Sequence, residues 1–366
     1  MKPPSSFPPR PRSFRGRQSD LSTLVQLIQT SHPTNIALVG SGGSGKSTLA
    51  AALGHALSSF FKGQVYWFRI GAWDARTLFS MMASGFGKAA PSSHPERWVH
   101  KVIAEKSPML VVLDNHEDDK ATAELLDPLR DLNVTFVLTA RRCLLSGVTV
   151  FPVIPPLIAT AQSPFPRVQS LTRLLRWNPV ALDLADALVH NNLDNEKGLH
   201  DWLVSRGILR VKPILHEDDL PEVGLMVERV SRELSQAGKR MLRVLAHMGG
   251  DHIGEDALAA LSKTKARPME TITKLKTLRI VQEPFSGRFT LHATVRHAVK
   301  KYTEPLGHAL HAYYLDLLEK EPSRRLTEQT HLFAAMDYAQ EKGDLATILR
   351  VQAIADAFEH GIGHSI

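Results

Sequence analysis

The chain predicts an α/β domain on a parallel sheet, followed by a helical domain, a winged-helix domain and a C-terminal helical segment. Three observations carry this expectation. An apolar run, NIALV, enters a glycine-rich loop and leaves it directly into the helical stretch KSTLAAALGHAL, over residues 35–57. Apolar strand-like runs then alternate with helical periods to about residue 155, where prolines cluster in FPVIPP. Beyond that the pattern is helical, interrupted by two alternating runs around Ser286-Gly287 that read as a short hairpin.

The elements follow in order. Residues 1–13, MKPPSSFPPRPRS, are proline-rich and basic and read as an extended or disordered leader. The first domain is expected over 14–155. It opens with the helix DLSTLVQLIQTSH, and strands follow in NIALV, QVYWFRI, MLVVLD, VTFVLTA and VTVFPV. Helices lie between them in ARTLFSMMASGFG, PERWVHKVIAEK and about residues 119–130, which implies right-handed crossovers. A helical domain is expected over 156–215, with VALDLADALVHNN its clearest period. Over 216–302, helices followed by a hairpin suggest a winged helix. The remainder, 303–366, is helical, and LFAAMDYAQEKGDLATILRVQAIADAF resembles a helical hairpin, a candidate first unit of a TPR-like solenoid.

The chemistry starts in the first loop. Gly40-Ser41-Gly42-Gly43-Ser44-Gly45-Lys46-Ser47 matches G-x-x-x-x-G-K-S between a strand and a helix, which makes the first domain an α/β P-loop NTPase domain. The glycines allow successive backbone N–H groups to turn inward around an anion. The helix beginning near Lys46, with Thr48 in its first turn, adds the positive end of its dipole. Lys46 is expected on the β and γ phosphates, and Ser47 on Mg²⁺.

Other candidates gather at the C-terminal ends of the strands, where a parallel sheet binds ligands. Asp114 ends PMLVVLD and is the natural metal partner of Ser47. Asn115 follows where many NTPases carry a second carboxylate, so Glu117 is the nearest candidate base, against the alternative of a solvated or capping acid. VTFVLTA delivers Thr139, Arg141 and Arg142 to the same edge, and Arg141 is the candidate γ-phosphate sensor. His292 follows the hairpin. From composition alone it reads as structural, since the 17 histidines show no metal-ligand spacing.

Composition narrows the classes. The 366 residues suit two or three domains, and 43% are apolar. The absence of an apolar run of membrane length or of a signal-peptide core points to a soluble, cytoplasmic protein with no membrane partner. Cys143 is the single cysteine, which excludes an internal disulfide and any cysteine-based zinc site. Lys2, Arg10, Arg12, Arg15 and Arg17 precede the first acid, Asp20, and supply five of the seven net positive charges. The remainder is near balance, so the charge is a weak argument for nucleic acid.

Together these stretches resemble the NB-ARC or STAND class of P-loop ATPases, the switch modules of plant resistance proteins, apoptosome proteins and many bacterial regulators. The resemblance spans roughly residues 14–302. FRGRQSDLSTL is similar to the family's F-x-G-R-E-x-E-L opening, which implies that Arg15, Gly16 and Arg17 pass beside the adenine. VYWFRI resembles the aromatic second strand, LVVLDN followed by Glu117 the L-D-N-x-E form, and LTARR the sensor segment ending T-x-R. WNPVALDLADAL is similar to the G-x-P-L motif, implying that Pro179 packs on the base; LHATVRHAV aligns with M-H-D, implying that His292 contacts the β-phosphate of ADP. Arg15 stands for the usual valine, Trp177 for the motif glycine and Ala293 for the motif aspartate.

The resemblance implies an ATP/ADP switch using Mg²⁺, with slow hydrolysis, self-assembly in the ATP state and an unidentified protein partner or effector. Two other readings stand beside it. One is a DNA-directed AAA+ ATPase of the origin-binding kind. Against it, RPMETITKLKTLR offers only Arg267, Lys274, Lys276 and Arg279 around the apolar Ile272, Leu275 and Leu278. The other is a nucleotide-binding scaffold without hydrolysis.

Overall fold

The computed structural model describes residues 7–8, 10–11, 17–40, 43–71, 74–86, 94–154, 165, 168–210, 220–264 and 267–361. The chain divides into two compact units. The first comprises residues 1–40, 46–153 and 314–366, and the second comprises 41–45 and 154–313.

In the first unit, β1 (Asn35–Val39), β2 (Val65–Gly71), β3 (Met109–His116), β4 (Val134–Ala140) and β5 (Thr149–Pro152) form one sheet ordered β2-β3-β4-β1-β5, every pair parallel. All seven residues of β4 are buried, as are the first five of β3, the continuous apolar pattern of a strand covered on both faces. One face packs Leu24 and Ile28 of α1 (Gln18–Ser31) and Leu49, Leu53 and Leu57 of α2 (Lys46–Leu57). The other packs Leu78 and Met82 of α3 (Ala75–Gly85), Val99 and Ile103 of α4 (Pro95–Lys106) and Leu125 of α5 (Asp119–Leu126). The parallel α/β core expected from the sequence is therefore present.

The order of the strands matters for the site. Because β4 lies between β1 and β3, whatever ends β4 stands between the glycine loop after β1 and the carboxylate that ends the regular part of β3.

The leader differs from its expectation at one point. Phe7 is buried, edge-on to His55 (ring centroids 5.5 Å) and Trp67 (5.6 Å), and His55 Nε2 lies 2.8 Å from the carbonyl of Pro8. Gly54 makes room for it: a Cβ there would fall 2.2 Å from the Phe7 ring. An apolar ring among prolines thus finds a slot on α2 that composition does not reveal.

The second unit begins with α6 (Gln169–Leu174), α7 (Pro179–His190) and α8 (Glu196–Ser205). Asn178 caps α7 through Val180 and Ala181 N–H, and Asn195 caps α8 through Gly198 N–H. Then come α9 (Pro221–Arg232), α10 (Gln236–His247), β6 (Ile253–Gly254), α11 (Glu255–Leu261), α12 (Pro268–Thr277), β7 (Gln282–Phe285), β8 (Arg288–Thr290) and α13 (Ala293–Lys300). The three short strands form an antiparallel sheet ordered β6-β8-β7. The hairpin turns at Gly287, whose φ of +72° is open to glycine at little cost and whose N–H donates to Glu283 Oε1 at 2.8 Å.

α14 (His308–Lys320) carries the chain out of the second unit, and α15 (Arg325–Lys342) and α16 (Leu345–Gly361) belong to the first. Leu315, Leu318, Leu332, Ala335, Val351 and Ile354 share a small core, and Phe333 packs against the sheet's helical layer. The α15–α16 turn uses Gly343 at φ +66°, after which Asp344 caps α16 through Thr347 N–H at 3.1 Å. No helix among the described residues is long and apolar enough to cross a membrane.

Candidate nucleotide site

The glycine loop joins β1 to α2. Gly40 N–H donates to the Ala140 carbonyl at 3.2 Å, so the loop leaves the sheet bonded to the end of β4. Gly43 and Gly45 have φ of +77° and +89°, conformations that other residues rarely adopt and that turn backbone N–H groups toward a common centre. Ser41 and Gly42 lie outside the described residues, as do Arg15 and Gly16. Lys46 opens α2 and donates from Nζ to the Gly40 carbonyl at 2.8 Å, so its ammonium is folded back across the loop. Ser47 and Thr48 follow at the exposed start of the helix, and Ser44 is buried.

Three oxygens converge beside this loop. Ser47 Oγ donates to Asp114 Oδ1 at 2.6 Å, and Thr139 Oγ1 donates to the same oxygen at 2.5 Å. An all-oxygen set with one carboxylate and a serine hydroxyl is what a hard divalent cation such as Mg²⁺ takes, and it keeps waters for its remaining positions. Ser47 and Asp114 would hold the ion. The chemistry Mg²⁺ supplies when bound is charge neutralisation on phosphoryl oxygens. Thr139 fixes the rotamer of Asp114, a role that follows from β4 lying between the two motifs.

Asn115 has a structural reason to be an asparagine. β3 and β4 pair Leu113 with Leu138 and then His116 with Ala140, so β3 carries one extra residue across Asp114-Asn115. This is a β-bulge, a device that re-aims side chains at the rim of a sheet. Asn115 takes φ +63°, a left-handed conformation that Asn tolerates better than most residues. Its N–H donates to Thr139 Oγ1 at 2.9 Å, and its Nδ2 donates to Glu117 Oε1 at 2.7 Å. The amide that cannot act as a base therefore orients the exposed carboxylate that can. Asn115→Val is expected to lower unfolding free energy by about 1–3 kcal/mol, the cost of a β-branched residue at positive φ. Asn115→Gly is expected to stay near wild type in the same urea titration.

Arg141 and Arg142 follow directly after β4, with Arg141 partly buried and Arg142 exposed. Arg17 is buried at the start of α1, and its Nη1 donates to Asp20 Oδ2 at 2.8 Å. The structure thus brings Lys46, Ser47, Asp114 and Thr139 together through bonded neighbours and places Asn115 and Glu117 alongside them.

In the second unit, Pro179 is the first residue of α7, and the residue before it was missed by sequence reasoning. Asn178 is buried, and a Cβ added to Gly43 would fall 3.2 Å from its side-chain amide. Asn178 Nδ2 also donates to Glu222 Oε1 at 3.5 Å, and Arg176 Nη1 lies 3.6 Å from Glu222 Oε2. Burial pushes the Glu222 carboxyl up, while its own backbone N–H, Arg176 and Asn178 hold it down. The Asn-Pro pair after a helical stop was the available signal, since Asn before Pro is a strong helix start. Trp177, at the place of the motif glycine, has φ +55°, so the chain keeps the backbone that glycine favours without the glycine. His292 caps α13: Nδ1 lies 3.3 Å from Thr294 N and 2.8 Å from Thr294 Oγ1. Accepting at Nδ1 leaves the proton of a neutral imidazole on Nε2.

Comparison with known proteins gives the fold. No protein-family model matches the chain, and no curated protein matches it. Among solved structures it is similar to a Signal Transduction ATPase with Numerous Domains (STAND) protein with a tetratricopeptide repeat sensor from Pyrococcus horikoshii, at TM-score 0.62 and 16% identity. That match covers 95% of this chain and 51% of the other, so this chain spans about half its length. The chain has the fold of a P-loop NTPase. More distant are Aeropyrum pernix ORC1 in complex with DNA (TM-score 0.38, 16% identity, 80% and 94% of the two chains) and Cdc6p from Pyrobaculum aerophilum (0.33, 13%, 82% and 98%). Likeness at those scores carries no weight for either reading.

Proposed function

We propose that this P-loop NTPase is an ADP/ATP-dependent switch of the STAND type, which binds Mg-nucleotide, hydrolyses ATP slowly and controls self-assembly or signalling. The observation that carries the nucleotide reading is the Ser47–Asp114–Thr139 cluster beside the glycine loop. In this reading Lys46 and the loop from Gly40 to Gly45 hold the phosphates, Ser47 and Asp114 hold Mg²⁺, and Arg141 senses the γ-phosphate. Arg15, Gly16, Arg17 and Pro179 border the base. Glu117, oriented by Asn115, is the base; Asn115 in place of a second carboxylate directly after Asp114 supports slow turnover.

The switch requires a second element whose contact depends on the nucleotide. We assign that role to the helices and hairpin of residues 216–302, read as a winged helix, with the Nε2–H of His292 as donor to the β-phosphate of ADP. Exchange for ATP removes that contact and releases a hinge transition. His292→Ala is expected to raise the ADP off-rate by about 10-fold or more, the loss of one charge-assisted hydrogen bond of about 1.5–3 kcal/mol. Stopped-flow displacement of a fluorescent ADP checks it; an unchanged off-rate removes His292 from the switch.

One set of contacts weighs against a DNA-directed ATPase. Of the four cations on and flanking α12, Arg267 pairs with Glu270 at 3.0 Å, Lys276 with Glu283, and Arg279 with Asp183 and Asp186, both at 2.7 Å. Three of the four are thus neutralised by acids of the same unit, which leaves this stretch little unpaired charge to release counterions from DNA. Duplex affinity is expected to be weak, with a log–log salt slope no steeper than about −2; a slope of about −5 or steeper would favour the DNA reading.

A further inference from the structure

We propose that His116, Asp119 and Cys143 form a site for a single divalent transition-metal ion of the zinc class, separate from the Mg²⁺ position at Ser47 and Asp114. The single cysteine reads, from the sequence, as excluding any cysteine-based zinc site; the structure departs from that reading, because a mixed nitrogen, oxygen and sulfur set needs only one thiolate. A ring nitrogen of His116, a carboxylate oxygen of Asp119 and Sγ of Cys143 all lie within 4.8 Å of one another, and it is Nε2 that faces Asp119. Donors about 2.0–2.3 Å from a tetrahedral ion sit roughly 3.3–3.8 Å apart, so small rotamer shifts close the set.

The fold assembles the three from separate segments. The bulge at Asp114-Asn115 carries His116 back into register with Ala140, where the ring is buried. Asp119 is the first residue of α5, and its carboxylate also accepts from Leu144 N–H at 3.3 Å, which draws the segment after β4 toward it. Cys143, half-buried, packs against the same apolar layer of the sheet.

The imidazole has the outer support that metal-bound histidines use. Its Nδ1 lies 2.9 Å from Thr122 Oγ1, a buried hydroxyl able to donate or accept. With no metal, Nε2–H donates to Asp119 Oδ1 at 2.8 Å and the threonine hydroxyl donates to Nδ1. With an ion on Nε2, the ring proton moves to Nδ1 and is donated to Thr122 Oγ1. Cys143 then loses its thiol proton to solvent, so one proton leaves per ion bound. Two anionic ligands and a neutral ring balance a dication, as a half-buried site requires. N, O and S donors in a three-residue set with an open fourth position suit Zn²⁺ or Co²⁺ over Mg²⁺. Such an ion would pin the turn bearing Asn115 and Glu117 to the segment bearing Arg141 and Arg142.

The test is a Co²⁺ titration of the full chain with excess Mg²⁺ present to fill the nucleotide site, followed by near-ultraviolet absorbance. One equivalent giving a thiolate-to-cobalt charge-transfer band is expected. Cys143→Ser should abolish the band, and Asp119→Asn should weaken binding at least about 10-fold. Thr122→Val, which keeps all three ligands, should weaken it within about 10- to 100-fold while retaining the band. No band at one equivalent, or Co²⁺ binding identical in wild type and Cys143→Ser, would overturn the site and show His116 as a hydrogen-bonded staple only. Neither result bears on nucleotide binding, which the same samples report through ADP affinity.

Discussion

Lys46→Ala is expected to lower affinity for Mg-ATP by at least about 100-fold, corresponding to roughly 3 kcal/mol. The ammonium is the cation that starts α2 at the loop, and it lies folded across the glycine segment with its Nζ 2.8 Å from the Gly40 carbonyl. Against β and γ phosphates it supplies charge-assisted hydrogen bonds at the helix N-terminus, where dipole and charge act together. Removing it leaves the backbone N–H groups in place but takes away the charge. The variant should fold, since Lys46 is partly exposed and packs no core. Isothermal titration with Mg-ATP checks this, and an affinity within threefold of wild type would mean that the loop does not hold phosphates.

Asp114→Asn carries the second large effect, and it falls on the metal. Asp114 Oδ1 accepts hydroxyl protons from both Ser47 and Thr139, so the amide keeps the shape of the cluster but loses the charge that attracts a dication. Nucleotide affinity should become nearly independent of Mg²⁺, and turnover should fall by about 100-fold or more, about 3 kcal/mol of lost transition-state stabilisation. Measuring ATP hydrolysis and ADP binding across a Mg²⁺ series separates the two effects. A variant with normal Mg²⁺ dependence would place the metal elsewhere.

Much of this site was legible because its parts are local. A glycine loop between a buried strand and a helix declares itself from residue types at fixed spacing, and a strand of apolar residues ending in Asp marks the rim of a parallel sheet. What could not be read depends on pairing across the sheet. The extra residue of β3 at Asp114-Asn115 exists only relative to β4, so Asn115 looked like a missing acid when its backbone conformation explains its identity. The position of β4 between β1 and β3, which gives Thr139 its bond to Asp114, is likewise a fact of strand order. Asn178 is not legible because the motif is carried by the proline that follows it, although the capping asparagine is the buried member of the pair. The basic residues around α12 already read as too few for groove binding; what the sequence does not show is their acidic partners, distant in sequence for Arg279.

In the proposed switch the chain rests with ADP held in a closed state. The most direct measurement is to denature the purified full chain and to identify and count the nucleotide released by chromatography. The switch predicts close to one ADP per chain, released slowly in wild type. A protein that emerges without nucleotide, binds ATP readily and turns it over rapidly would contradict it and would make a working ATPase the better reading.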